Sequence, residues 1–242
     1  MYGLRFNLNL VRYNLDMANR QPIEVGEWYH CYNRGVDKRK VFLEERDYER
    51  MLLLMYLSKY QKPVQLFNED DLRLKAILSG AADSKSNPIA EVGAYALMPT
   101  HFHFVLREIV EGGIALFMQK VFTGYTMYFN RKNTRTGALF AGTFKSIHIA
   151  DDRYLKHLVS YVHLNPAELI ESDWKTSRKN IERLKNRLRE YEYSSLPDFI
   201  GDPRPQTSII DSSIFQLFDS MPSIRQMVMG AKVYGNLNEI EV

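Results

Sequence analysis

A pair of histidines, His101 and His103, is the first feature of this chain that could perform chemistry. The residues from His101 onward read His-Phe-His-Phe-Val-Leu and alternate polar with apolar side chains. This period of two predicts a β-strand that presents both imidazoles on one face and Phe102 and Phe104 on the other, toward the core. Two neutral imidazoles on one face can share a divalent ion when each ring gives its remaining N–H to an acceptor. Two ordinarily hydrogen-bonded histidines would produce the same pattern, so both interpretations stay open on this motif alone.

A tyrosine on a predicted helix is the second candidate. The helix is predicted from about Arg153 to Asn165, with Asp151 or Asp152 as its N-cap. Tyr161 and Asn165 are four residues apart and therefore share one face. Such a tyrosine is most often a surface residue, but a phenol can also attack phosphorus and form a phosphotyrosine. Because the reference pKa of a phenol is about 10, this nucleophile needs a nearby metal or base. The carbonyl oxygen of Asn165 could bind the same metal.

A scaffold must bring the histidine strand and the tyrosine helix together. Strands are predicted at Glu27 to Arg34, Val92 to Met98, His101 to Arg107 and Thr143 to Ile149, and helices at Glu44 to Gln61, Ile114 to about Lys132 and Arg153 to Asn165. This order is that of a split βαβ sheet with one extra helix. We therefore predict an α+β fold with a lead-in at residues 1–24, a catalytic domain at 25–170 and a basic, mostly helical extension at 171–242. His30, on the first strand, is given a structural role by default.

The placement of charge is more informative than its sum. The 242 residues include 32 Lys and Arg against 29 Asp and Glu, a net charge of only +3. No acidic residue occurs between Gly112 and Ala150, and a second basic block runs from Lys175 to Arg189. Any one block is usually a solvated helix face, but an acid-free stretch beside the candidate residues favours a nucleic-acid partner. The predicted contacts to a phosphate backbone are Arg34, Lys38, Arg39, Arg131, Lys132, Arg135 and Lys145.

Composition excludes several classes of protein. With 45% hydrophobic and 25% charged residues, the chain can bury a core and is neither disordered nor fibrous. The single cysteine, Cys31, excludes an internal disulfide and a multi-cysteine zinc site, which suits a reducing cytoplasm. The longest apolar run, Met51 to Leu57, is too short to cross a bilayer, and the first residues lack the apolar core of a signal peptide. We expect a cytoplasmic protein with no membrane partner.

Four segments of the chain carry a resemblance to a known family. They are Trp28-Tyr-His-Cys-Tyr-Asn-Arg-Gly35, Tyr95-Ala-Leu-Met-Pro-Thr-His-Phe-His-Phe-Val-Leu106, Gly142-Thr-Phe-Lys-Ser146 and Tyr161-Val-His-Leu-Asn-Pro166. In this order and at these separations, they resemble the single-tyrosine HUH transposases, and most closely the REP-associated tyrosine transposases, over about residues 25–170. Two positions depart from the family pattern. Thr100 replaces an Asn or Glu, and Ala167-Glu168-Leu169 replaces Val-Arg-Ala, which removes a basic residue.

The resemblance implies a fold, a site and a reaction. The fold is a ferredoxin-like core with an antiparallel sheet, followed by the helix of the nucleophile. By motif, His101, His103 and Asn165 are ligands of Mg²⁺ or Mn²⁺, and Tyr161 is the nucleophile. The implied substrate is single-stranded DNA near hairpins, cut to a 5′-phosphotyrosine and a free 3′-hydroxyl by a nucleoid-associated protein.

Other functions and assemblies stay open at this stage. The alternatives are a domesticated, non-catalytic binder of hairpin DNA or RNA, and a rolling-circle-type nicking initiator. Both a monomer and a homodimer are compatible with the sequence.

Overall fold

The computed structural model describes residues 22–62, 87–176, 181–202, 204–218 and 220–233. Most of the predicted lead-in, part of the basic block and the last nine residues lie outside these ranges. No helix within them is long and apolar enough to cross a membrane.

A four-stranded antiparallel sheet forms the centre of the fold. Its strands are β1 (Trp28–Arg34), β2 (Ala90–Met98), β3 (His101–Glu108) and β4 (Lys145–His148), in the spatial order β2-β3-β1-β4. Helix α1 (Glu45–Ser58) follows β1, and helix α2 (Gly113–Lys132) joins β3 to β4. This arrangement is the ferredoxin-like split βαβ fold, so the predicted α+β class is confirmed.

The two faces of the sheet are covered by different helices. Phe102 and Phe104 of β3 point to the face covered by α2, where their rings contact Phe122 and Phe117 respectively. Helix α1 packs against α2, and Gly124 gives the side chain of Leu54 room to lie directly on the α2 backbone. The alternation predicted for β3 therefore decides which residues enter this core.

Helix α3 (Asp152–Leu164) lies on the opposite face of the sheet. It begins at Asp151, whose carboxylate accepts the backbone N–H of Tyr154 at 2.8 Å, as predicted for an N-cap. The apolar side of α3, including Leu155, Leu158 and Val162, is buried. The strong amphipathic pattern of this helix thus fixes which of its side chains face the sheet.

The remaining described elements are helical. They are α4 (Ala167–Ile170), α5 (Ile181–Arg189), α6 (Leu196–Phe199) and α7 (Ile224–Val233), with 3₁₀ turns at Val36–Lys38, Pro205–Ile209 and Ser212–Leu217. The mostly helical character predicted for the C-terminal extension is confirmed.

Part of this extension packs on the outer edge of β2. The N–H of Ser195 donates to the carbonyl of Tyr95 at 2.9 Å, and the N–H of Leu97 donates to the carbonyl of Tyr193 at 2.9 Å. Farther along, Ile209 and Ile214 are fully buried in the main hydrophobic core. The predicted domain boundary at residue 170 stays a prediction, and the core of the sheet continues across it.

Candidate active site

Strands β1 and β3 bring three histidines and a tyrosine onto the face covered by α3. In the β1–β3 register, Tyr32 lies opposite His103. Because directly paired residues share a face, His30, two residues before Tyr32, also lies beside His103. The rings of His30 and His103 are stacked with centroids 5.1 Å apart, and the ring of His101 stands edge-on to His103 at 5.2 Å. The site is therefore a compact cluster of aromatic rings on the two central strands.

The hydrogen bonds of this cluster engage one nitrogen of each predicted ligand. Nδ1 of His101 is 2.9 Å from the hydroxyl oxygen of Thr100, and Nδ1 of His103 is 2.9 Å from Nε2 of His30. The second nitrogen of His103, Nε2, is buried and has no hydrogen-bond partner in the described part of the chain. An unpaired buried nitrogen costs about 1–3 kcal/mol, which a bound cation would offset. The ring of His103 therefore fits the role of a metal ligand.

The pKa values of these histidines favour the neutral imidazole. Burial lowers the pKa of His30 to about 3. Burial and, secondarily, the positive charge of Arg34 lower the pKa of His101 to about 4. The pKa of His103 lies well below its usual range because of burial and its two neighbouring histidines. All three rings are neutral at neutral pH, so each retains a nitrogen lone pair for a metal or a hydrogen bond.

Helix α3 places Tyr161 directly over this cluster. Its ring stands edge-on to His103, with centroids 5.6 Å apart, and to His30, at 6.2 Å. The side chain is half-buried. One turn later, the amide nitrogen of Asn165 donates to the carbonyl oxygen of Tyr161 at 3.0 Å. The structure thus brings Tyr161 together with the two predicted ligands, while Asn165 as a ligand stays a prediction.

No trio of His, Cys, Asp or Glu side chains in the described ranges is arranged to hold a metal ion. The predicted metal set therefore depends on two imidazoles completed by the amide of Asn165, or by substrate and water oxygens.

Two of the predicted phosphate-contacting cations border the ring cluster. Arg34 pairs with His101 across β1 and β3 and is close enough to lower the pKa of that histidine. Lys145, on β4, is exposed, and its ammonium lies 5.7 Å from the centre of the Tyr32 ring. Both can place positive charge near a phosphate bound at the histidines.

Two further cations meet in an open groove of about 450 Å³. Arg39 and Arg135 line it together with Lys40 and with Asp37, whose carboxylate is 3.3 Å from Arg39. Leu43 and Phe129 add apolar surface to the lining. The segment that carries Arg39 is held against the β2–β3 turn, because the N–H groups of residues 41 and 42 donate to the carbonyl of residue 99. The groove therefore lies toward the end of the sheet at which the histidine strand begins.

The other predicted DNA contacts differ in whether the cation is exposed to solvent or forms ion pairs within the protein. Lys38 and Arg131 are exposed. Lys132 forms ion pairs with Glu44 at 2.7 Å and with the buried Asp47 at 2.5 Å. The charge of Lys132 is therefore offset by two carboxylates, and its contact with DNA stays a prediction.

The sequence placed His30 on the first strand, on a face that could be the face of the active site, and gave it a structural role by default. The alternation of residues 27–34 placed His30 and Tyr32 on one face of a strand. Only the pairing of β1 with β3 shows that this face contains His103, which lies 73 positions away in the chain.

Comparisons with known proteins add a distant likeness of fold. No protein-family model matches the chain, and no curated protein matches its sequence. Among solved structures, it is similar to a REP-associated tyrosine transposase bound to a REP hairpin, with 12% sequence identity and a TM-score of 0.46. The match covers 79% of this chain and 90% of that chain.

Proposed function

We propose that this protein is a metal-dependent transesterase that cleaves and rejoins single-stranded DNA near hairpins through a 5′-phosphotyrosine at Tyr161. The observation that carries the proposal is the edge-on contact of Tyr161 with His103, whose Nε2 is buried without a hydrogen-bond partner in the described residues. The four ordered sequence motifs support the same reaction. The proposed substrate fits the expectation of a cytoplasmic, nucleoid-associated protein.

The proposed metal ligands are His101 and His103, with Asn165 as the third. A bound divalent ion supplies positive charge that stabilises the phosphate oxygens and favours ionisation of the phenol. Thr100 contacts Nδ1 of His101, and His30 contacts Nδ1 of His103. Imidazole ligands suit transition metals better than Mg²⁺, so Mn²⁺ is the first ion to test.

Tyr161 is the proposed nucleophile. Its phenolic oxygen forms a bond to phosphorus while the bond from phosphorus to the 3′ oxygen breaks. The phenol loses its proton and the departing 3′ oxygen gains one, so the products are a 5′-phosphotyrosine and a 3′-hydroxyl. Rejoining is the reverse reaction with a 3′-hydroxyl as the attacking group. Contact with two buried imidazoles restricts the tyrosine ring, which contributes to in-line positioning.

The proposed DNA surface consists of cations around this site. Arg34 and Lys145 border the ring cluster, and Arg39 and Arg135 line the groove toward the end of the sheet at which β3 begins. Lys38 and Arg131 extend this positive surface to exposed positions. Such contacts bind the phosphate backbone and orient the strand without reading its sequence.

An adduct assay tests the nucleophile. The protein is mixed with a labelled DNA hairpin that carries single-stranded flanks, with Mn²⁺ or Mg²⁺, and covalent protein–DNA species are separated under denaturing conditions. We expect Tyr161→Phe to abolish the adduct and to leave DNA affinity unchanged, because only one oxygen is removed. Tyr154→Phe is the matched control, since Tyr154 is another half-buried phenol on α3.

Each contrary result has a defined meaning. An adduct that survives in Tyr161→Phe but disappears in Tyr154→Phe would move the nucleophile to Tyr154. Salt-sensitive DNA binding by the unmodified protein, without any adduct in either metal, would instead indicate a non-catalytic nucleic-acid binder.

A further inference from the structure

The hydrogen bond between His30 and His103 joins two completely buried imidazoles. Nε2 of His30 and Nδ1 of His103 are 2.9 Å apart, and the ring planes differ by 13°. The other nitrogen of each ring, Nδ1 of His30 and Nε2 of His103, is also buried and has no partner among the described residues. The two rings therefore depend on each other for the placement of their hydrogens.

A shared hydrogen links the tautomers of the two rings. Each neutral imidazole carries one N–H, and the contact between the two nitrogens requires one donor and one acceptor. In the first arrangement, Nδ1–H of His103 donates to His30, and Nε2 of His103 keeps its lone pair. In the second arrangement, His30 donates, and the hydrogen of His103 must lie on Nε2. Only the first arrangement leaves His103 able to bind a cation through Nε2.

We propose that His30 is a positioning residue that holds His103 in the tautomer whose Nε2 presents a lone pair to a divalent ion. The inference rests on the proposed function, which supplies the divalent ion. It extends the site from the predicted metal ligands to the residue that orients one of them. At Nδ1 of His101 the partner is the Thr100 hydroxyl, which changes between donor and acceptor by rotation about one bond, whereas the roles of His30 and His103 change only when both rings exchange tautomers. The tautomer is therefore held more firmly at His103 than at His101.

The burial of His30 supports a polar role over packing alone. A phenylalanine ring would supply aromatic contacts to His103 and Tyr32 without an unpaired buried nitrogen. Nδ1 of His30 is buried without a hydrogen-bond partner in the described residues, which costs free energy. The hydrogen bond to His103 is the interaction that only a histidine, or a side chain with an acceptor at the same place, supplies there.

The test compares two substitutions in the full-length protein without DNA. His30→Phe keeps a ring but removes the acceptor, whereas His30→Gln places an amide oxygen near the original Nε2. His148→Phe is the matched control, because His148 lies on β4, bonded to Glu27 and outside the ring cluster. Long-range ¹H–¹⁵N NMR of the metal-free protein reports the tautomer of His103, assigned with His103→Gln, and calorimetry reports Mn²⁺ affinity.

We expect His103 to carry its hydrogen on Nδ1 in the unmodified protein, in His30→Gln and in His148→Phe. In His30→Phe, the hydrogen should move to Nε2, and Mn²⁺ affinity should fall by about 10–100-fold, the usual effect of losing a residue that orients a ligand. Restoration of the tautomer and of most of the affinity by His30→Gln separates orientation from packing, because both variants remove the imidazole.

Two outcomes overturn the inference. One is a hydrogen on Nε2 of His103 in the unmodified protein, a result that does not require any variant of His30 to fold. The other is a folded His30→Phe with an unchanged tautomer and unchanged Mn²⁺ affinity. Failure of the proposed function is distinguishable, since it appears as absence of a DNA adduct or of Mn²⁺ binding while the metal-free tautomer is still measured.

Discussion

At the scale of single residues, a buried histidine outside the proposed site, His163, has a strongly lowered pKa. His163, on α3, is completely buried, and its Nε2 is 2.8 Å from the hydroxyl oxygen of Ser195, beside the edge of β2. Burial, assisted by the charge of Arg204, lowers the pKa of His163 to about 3. The residue joins the helix of Tyr161 to the C-terminal segment, and burial disfavours a charge on its ring.

The stability of the fold should depend on pH through His163. Its pKa is 6.5 in the reference state and about 3 in the folded protein, so the unfolded chain binds more protons between these values. The free energy of unfolding must therefore decrease as the pH falls below 6.5, by up to about 1.4 kcal/mol per pH unit for each such histidine.

Urea unfolding at a series of pH values measures this effect. The slope of the free energy of unfolding against pH reports how many more protons the unfolded chain binds than the folded one. We expect His163→Gln to lower that number by close to one, while the amide keeps a polar atom near Ser195. His157→Gln, which replaces an exposed histidine of the same helix, is the control. An identical slope in His163→Gln and the unmodified protein would show that His163 does not carry the linkage.

At the scale of elements, the first turn of α2 is fixed by a buried carboxylate and by close packing of a glycine. The buried carboxylate of Glu108 accepts the N–H groups of Gly113 at 3.1 Å and Ile114 at 2.6 Å. Gly113 also lies so close to β2 that a Cβ atom there would be 1.9 Å from the carbonyl oxygen of Ile89. The helix that supports the far face of the histidine strand therefore begins where only glycine fits.

Alanine should have opposite effects at two helical glycines. Gly113→Ala should lower the free energy of unfolding by more than about 2 kcal/mol, because the clash involves backbone atoms that cannot rotate away. Gly230→Ala, on α7 with nothing within 4 Å of the added carbon, should raise it by about 0.5–1 kcal/mol. Chemical denaturation of both variants measures the difference, and equal effects would contradict the packing described at Gly113.

At the scale of the whole molecule, the cations fall into two groups. On α5, Lys185 lies near Glu182, Arg187 near Glu190 and Arg189 near Asp202. Toward the end of the sheet at which β3 begins, Arg39 and Arg135 line an open groove, in which Arg39 is 3.3 Å from the carboxylate of Asp37. A net charge of +3 therefore includes a groove at which three cations, Arg39, Lys40 and Arg135, meet one carboxylate, that of Asp37.

Removal of the groove cations should weaken DNA binding in a salt-dependent way. For Arg39→Ala with Arg135→Ala, we expect the slope of log K against log salt concentration to decrease by about 0.7–0.9 for each phosphate that is no longer neutralised. Lys185→Ala with Arg187→Ala on α5 removes the same charge and is the matched control. Fluorescence anisotropy with a hairpin DNA measures both, and an equal loss of affinity in the two pairs would indicate binding to net charge alone.

The local sequence was sufficient to predict the strand of the two histidines and the helix of Tyr161. Alternation over His101 to Leu106 predicted the strand and its two faces, and the amphipathic pattern from Arg153 to Asn165 predicted the helix of Tyr161. Both follow from backbone periodicity, which acts over a few neighbouring residues. The order of these elements was then sufficient to predict the split βαβ sheet, because few connections between them are physically allowed.

Only the tertiary structure decided which distant side chains meet. The pairing of His30 with His103, the ion pair of Lys132 with Asp47 and the seating of Ser195 on β2 join residues that are 73, 85 and 100 positions apart. Such contacts depend on strand register and on how helices pack, and a shift of one residue would turn His30 to the other face of the sheet. Local periodicity does not encode that choice, since it is made by the packing of the whole core.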